Sequence, residues 1–130
     1  MASELKVNTL TGVSTAGSIA VTGEGNSTTT NLQQGLCKVW VRCNGSTFDT
    51  SGDDTFNVTS LTDDDVGDYT ITIANDFSSV NFAMLGTGNE YHVLNDSANT
   101  AGTMQYGNYN NSHARSDTAR CFAAGFGDLA

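Results

Sequence analysis

Cys37-Lys38-Val39-Trp40-Val41-Arg42-Cys43 alternates without a break, with Cys37, Val39, Val41 and Cys43 on one face and Lys38, Trp40 and Arg42 on the other. Successive side chains of a strand point to opposite sides, so a period of two marks a strand with one face toward a core. Asn44-Gly45-Ser46 then reads as a turn. Working outward, the same pattern recurs. Residues 55–59 predict a strand with Phe56 and Val58 inward, and residues 69–73 one with Tyr69, Ile71 and Ile73 inward. Residues 80–86 form another, weaker strands are expected near 91–94 and 104–109, and residues 119–127 close the chain. Short strands separated by turn chemistry, with no sustained apolar period of 3.6, predict an all-β fold: a small antiparallel sandwich or barrel.

Composition agrees. None of the 130 residues is proline, where about six would be ordinary. Thr, Ser, Asn, Asp and Gly take the space, and these favour strands and turns over helices. Hydrophobic residues make up only 38%, so a lone copy has little with which to build a core.

The chain divides near residue 36. Residues 1–36 hold no aromatic residue, and their apolar positions are sparse: Leu5, Val7, Leu10, Val13, Ile19, Val21, Leu32 and Leu36. Such a segment cannot close a core by itself. It reads as an extended N-terminal arm or β-stalk, either disordered or held against other chains, with one helical turn at Asn31-Leu32-Gln33-Gln34-Gly35-Leu36. Residues 37–130 read as a compact β-knob. Trp40, on the face away from the clean apolar stripe, suggests burial against another element or another copy.

Charge excludes some partners. The net charge is −9, and the five basic residues, Lys6, Lys38, Arg42, Arg115 and Arg120, do not cluster. Nucleic-acid binding normally needs a basic stripe, and anionic membranes would repel this chain. No apolar run approaches a membrane span, and the N-terminus lacks the apolar core of a secretory signal, so synthesis in a cytoplasm is expected. Three cysteines, an odd number, argue against a disulfide framework and read as reduced thiols.

No arrangement of side chains points to catalysis. His92 and His113 belong to no metalloprotease motif, and there is no nucleophile elbow. Asp63, Asp64, Asp65 and Asp68 offer oxygen ligands of the kind calcium takes, but their spacing does not match an EF-hand loop. The stretch reads as a solvated acidic loop, and neither metal nor cofactor is expected. Gln105-Tyr106-Gly107-Asn108-Tyr109-Asn110-Asn111 joins stacking rings to amides. It has two readings: a surface loop in which Tyr106, Asn108, Tyr109 and Asn110 contact a glycan or protein, or an irregular strand whose tyrosines face inward.

Two stretches carry a family resemblance. Leu5-Lys6-Val7-Asn8-Thr9-Leu10-Thr11-Gly12-Val13 and the run on to Ile19, followed by Gly23-Glu24-Gly25-Asn26-Ser27-Thr28-Thr29-Thr30 and the turn ending at Leu36, resemble the start of small tail-fibre-type structural proteins of marine bacteriophages. The strand bearing Trp40, then Phe56-Asn57-Val58-Thr59-Ser60-Leu61-Thr62-Asp63, Gly67-Asp68-Tyr69-Thr70-Ile71 and Val80-Asn81-Phe82, are similar to the knob domains of those proteins. The resemblance implies attachment to a particle through the N-terminal part, and trimers. It carries no catalytic residue, and similar modules serve as tail fibres, head fibres and capsid decorations. The expectation is therefore a non-enzymatic virion protein, a homotrimer in contact with other virion proteins. The alternative is an adhesin whose tip binds a host-surface glycan or protein.

Overall fold

The computed structural model describes residues 4–13, 19–23, 25, 28–45, 47, 54–88, 98–117 and 119–130, and the backbone of 91–94. Among the described residues the chain forms ten strands and one short helix. β1 (Ala20–Thr22) and β2 (Thr29–Asn31) pair as an antiparallel hairpin. Helix α1 (Leu32–Gly35) follows directly, with the Asn31 side chain accepting from the Gln34 N–H at 3.1 Å as its N-cap. The expected helical turn is present. β1, β2 and α1 make a local hairpin and turn.

The rest of the chain builds two four-stranded antiparallel sheets. The first contains β3 (Cys37–Cys43), β4 (Asp54–Phe56), β7 (Ala83–Gly88) and β10 (Cys121–Phe126), in the order β4-β3-β10-β7. The second contains β5 (Val58–Asp65), β6 (Asp68–Ile73), β8 (Tyr91–Leu94) and β9 (Thr103–Tyr109), in the order β5-β6-β9-β8. The all-β expectation holds, and the arrangement is sandwich-like. One buried cluster joins the two sheets. Val39, Val41, Cys43, Cys121 and Ala123 come from the first sheet, and Tyr69, Ile71, Ile73, Met104 and Tyr106 from the second, with Phe77 beside them. Tyr69 and Tyr106 face each other across β6 and β9 with ring centroids 5.3 Å apart. Such a ring pair contributes about 0.5–1.5 kcal/mol beyond its area.

Small residues on β10 make room for large ones opposite. A Cβ on Gly125 would come within 2.7 Å of Val39 Cγ1 and 3.0 Å of both Met104 Sδ and Phe77 Cζ. Glycine here is a packing requirement. Cys43 and Cys121 lie directly opposite on β3 and β10, and both are buried thiols. The Tyr106 phenol is held far above its ordinary value, first by burial and then by these two thiols, so it stays protonated.

Three local expectations need correction. Residues 55–59 are not one strand. The chain leaves the first sheet after Phe56 and enters the second at Val58 through Asn57, whose φ of 59° lies in the left-handed region. Asn tolerates that region better than most residues. Its side chain fixes the kink, accepting from Asn75 N at 2.8 Å and donating to Asn75 O at 3.0 Å. Phe56 and Val58 therefore no longer share a face: Val58 packs on the core, whereas Phe56 is exposed. The acidic stretch 63–68 is not a loop. Asp63, Asp64 and Asp65 end β5, Asp68 opens β6, and only Val66 and Gly67 turn. Gly67 has φ 62°, and a Cβ there would lie 2.6 Å from both Asn108 O and Ser116 N. Lastly, β7 begins at Ala83, and Val80 stands exposed before it.

Candidate interaction surfaces

The inner face of the first sheet is covered by the second sheet. On its outer face Phe56 and Leu85 are exposed, whereas Trp40, Phe122 and Ala124 are half-buried. Strand register sets out what lies there: Phe56 opposite Trp40, Trp40 opposite Ala124, and Ala124 opposite Leu85. Directly opposed residues share a face. Val39 and Val41 point into the core, so Trp40 and its row point away from it. Phe56 is 52% exposed and Leu85 62% exposed. Beside this row, Trp40, Leu85 and Phe122 with Arg42 and Thr87 line an open groove of about 400 Å³. Arg42 supplies its charge, with Asp54 opposite it in the register.

The sequence of β10 explains why the face is apolar. Cys121-Phe122-Ala123-Ala124-Gly125-Phe126 is apolar at every position. Cys121, Ala123 and Gly125 are buried, and Phe122, Ala124 and Phe126 are half-buried. Continuous apolar strands belong to sheets covered on both faces. Of this surface the sequence pattern singled out Trp40 alone. Phe56 was assigned inward, and Leu85, Phe122 and Ala124 join Trp40 only through a strand order that is not consecutive.

The second candidate surface is not a surface. Tyr106 and Asn108 are both 0% exposed on β9. This corrects the loop reading and favours the inward one. Asn108 is the centre of a polar knot that ties residues 110–117 to the β5–β6 turn. Its Nδ2 donates to Ser116 O at 2.6 Å, its backbone N–H donates to Gly67 O at 2.8 Å, and its carbonyl accepts from Ser116 N at 3.1 Å. Asp117 Oδ1 accepts from Gly67 N at 2.8 Å and from the Tyr69 hydroxyl at 3.1 Å. Arg115 pairs with Asp68 at 3.0 Å, donates to Gly67 O at 3.2 Å, and lies 5.4 Å above the Tyr109 ring. Asp68 holds the Arg115 guanidinium above its ordinary pKa through that hydrogen bond. Asn110 Oδ1 accepts from the backbone of Ser112 at 2.9 Å and of Ala114 at 3.1 Å. Of the four candidates, Tyr106 and Asn108 are interior and Tyr109 and Asn110 are half-buried.

The N-terminal candidates divide. Leu5, Val7, Leu10 and Val13 lie in residues 4–13, which form no helix or strand, and all are exposed, from 56% for Val7 and Leu10 to 96% for Val13. Val21 on β1 and Leu36 after α1 are exposed. Ile19 and Leu32 are half-buried, and Leu32 N donates to Ile19 O at 2.8 Å. The side chain of His92, on β8, lies outside the described residues. His113 sits in the 110–115 loop with φ 58°. Asp63 is held above its ordinary pKa by partial burial and then by the charges of Asp117, Asp64 and Asp65, and Asp64 accepts from the Thr70 hydroxyl. Among the described residues no three His, Cys, Asp or Glu side chains are placed to hold a metal ion, and no helix is long and apolar enough to cross a membrane. Comparison with protein-family models, with curated proteins and with solved structures gives no match to this chain.

Proposed function

We propose that this chain is a non-enzymatic structural subunit of a bacteriophage particle, fibre-like or capsid-decorating, that works as a homotrimer in contact with other virion proteins. One observation carries the assembly half of the reading: the outward-facing row Phe56–Trp40–Ala124–Leu85 on a sheet whose central strand is apolar on both faces. Each large apolar side chain fully buried contributes about 1.5–3 kcal/mol, so a copy that covers this face gains substantially. Aromatic anchors at the centre of a patch are also the usual core of a protein interface. The particle half rests on the resemblance to fibre proteins. The net charge of −9 suits a protein kept soluble at high copy number. The exposed Leu5, Val7, Leu10 and Val13 serve as the anchor to a virion protein. Of the four candidate contacts for a receptor, Tyr106 and Asn108 are interior.

The anchor is tested in full-length chain with Leu5, Val7, Leu10 and Val13 all changed to Ser. These side chains are exposed, so the β-body should keep its circular dichroism spectrum and its unfolding midpoint. The altered chain should be missing from purified particles that carry the unaltered chain. Incorporation at normal copy number would remove this segment as the anchor.

A further inference from the structure

Cys43 closes β3 and Cys121 opens β10, and the register sets the two directly opposite each other. Both belong to the buried cluster between the sheets, at 2% and 0% exposed. Opposed residues of an antiparallel pair have Cα atoms about 4.5 or 5.5 Å apart, according to the pair type. Either spacing falls inside the range of about 4.4–6.8 Å that a disulfide spans. Cys43 Sγ reaches across the pair and donates to the Cys121 carbonyl oxygen at 3.9 Å. The Cys121 thiol is held below its ordinary pKa, first by a hydrogen bond with Cys43 and then by one with the Tyr106 hydroxyl, against the opposing effect of burial. Cys37 stands apart. It begins β3, roughly 20 Å from Cys43 along the strand, lies opposite Phe126, and donates to Val39 O at 3.1 Å.

We propose that Cys43 and Cys121 form an oxidation site, two thiols that close to a cross-strand disulfide on meeting hydrogen peroxide. The Cys121 sulfur attacks one peroxide oxygen, the O–O bond breaks, and the leaving hydroxide takes the thiol proton to become water. The Cys43 sulfur then attacks the resulting sulfenic acid. The S–O bond breaks as the S–S bond forms, and a second water leaves with the Cys43 proton. Two thiols are oxidised and one peroxide is reduced to two waters. The pair sits at the end of the sheet, between the turn at Asn44 and the exposed Ala119 and Arg120. Strand ends open locally at lower cost than the core, which admits a small neutral oxidant to buried sulfurs. Opposed Cβ atoms lie about 4.5–5.5 Å apart, wider than the mean of about 3.8 Å in a disulfide, so closure draws the strand ends together. A strained bond is the more easily reduced, and the bridge is therefore reversible. It joins residues 78 positions apart in sequence, which restricts the unfolded chain and stabilises the folded one. The site is independent of the sheet-face row and of any role in a particle.

The test exposes the full chain, folded in native buffer, to a slight molar excess of hydrogen peroxide. Remaining thiols are then blocked with N-ethylmaleimide in urea, and unreduced peptides are mapped by mass spectrometry. The oxidised chain should lose two hydrogens, take up one maleimide where the reduced chain takes up three, and yield a peptide linking Cys43 to Cys121. Dithiothreitol should restore all three thiols. The oxidised chain should unfold at a higher urea concentration than the reduced one. Cys37→Ser should oxidise in the same way, and Cys121→Ser should form no internal bridge. Three maleimides after peroxide treatment, a bridge that includes Cys37, or conversion of Cys121 to sulfinic or sulfonic acid without a bridge would each overturn the proposal. Should Cys121→Ser fail to fold, the peptide map of the unaltered chain decides the matter alone.

Discussion

Both faces of the β4-β3-β10-β7 sheet carry an apolar row, and the two rows differ in what covers them. On the inner face Val39, Val41, Cys43, Cys121 and Ala123 are at most 4% exposed, closed over by the second sheet. On the outer face Phe56 and Leu85 remain more than half exposed, and Trp40, Phe122 and Ala124 are half-buried. Apolar patterning shows which side chains leave water; it does not show which molecule takes them in. For the inner face the answer is in the same chain. For the outer face the proposed answer is another copy.

The comparison breaks most severely from the inside. Ile71 is fully buried in the shared cluster. Changing it to Ala should cost about 2–5 kcal/mol, the range for truncating a buried aliphatic side chain that leaves a cavity. Urea unfolding at a concentration where the chain is monomeric measures it. Gly125→Ala should come next, at about 1–3 kcal/mol, because its Cβ would press on Val39, Met104 and Phe77. A neutral result would mean that the interior yields more easily than its contacts imply. Leu85→Ser sharpens the contrast from the other face. It should change the monomer's unfolding free energy by no more than about 0.5 kcal/mol, as surface changes do, yet weaken self-association.

The smallest effect concerns charge. Asp63 carries a raised pKa, so the folded state holds its proton more tightly than the unfolded chain does. The folded state is therefore favoured while Asp63 is protonated, and a penalty appears as pH rises through its folded pKa. Asp63→Asn removes the penalty. It should stabilise the protein at neutral pH by at most about 0.5 kcal/mol, given the exposure of the group, and the gain should vanish in strong acid. Urea midpoints at the two pH values check the sign.

How much of this was legible in the sequence follows from the range of each interaction. β3 and β6 were readable because alternation is local: Val39, Val41 and Cys43, and Tyr69, Ile71 and Ile73, bury as their spacing requires. The turn at Asn31–Leu36 was readable from the glycine that stops it. The break at Asn57 was not, because Phe56-Asn57-Val58 alternates well enough for a strand and the left-handed backbone is held by Asn75, 18 positions away. Around Tyr106 and Asn108 the sequence leaves a recognition loop and an inward-facing strand both open, because buried and exposed amides have the same composition. Asn108 is interior because it meets Gly67 and Ser116, and no local pattern announces that. The outer row needed the strand order, which sets β10 between β3 and β7 although the three are far apart in sequence.

Sedimentation equilibrium of the unaltered chain, alongside Trp40→Ser and Leu85→Ser together, reads self-association through the outer row. The unaltered 13.6 kDa chain should sediment at three times its own mass at micromolar concentration, and the double variant as a folded monomer. An unaltered chain that remains a monomer, or a double variant that associates as strongly as the unaltered chain, would contradict it.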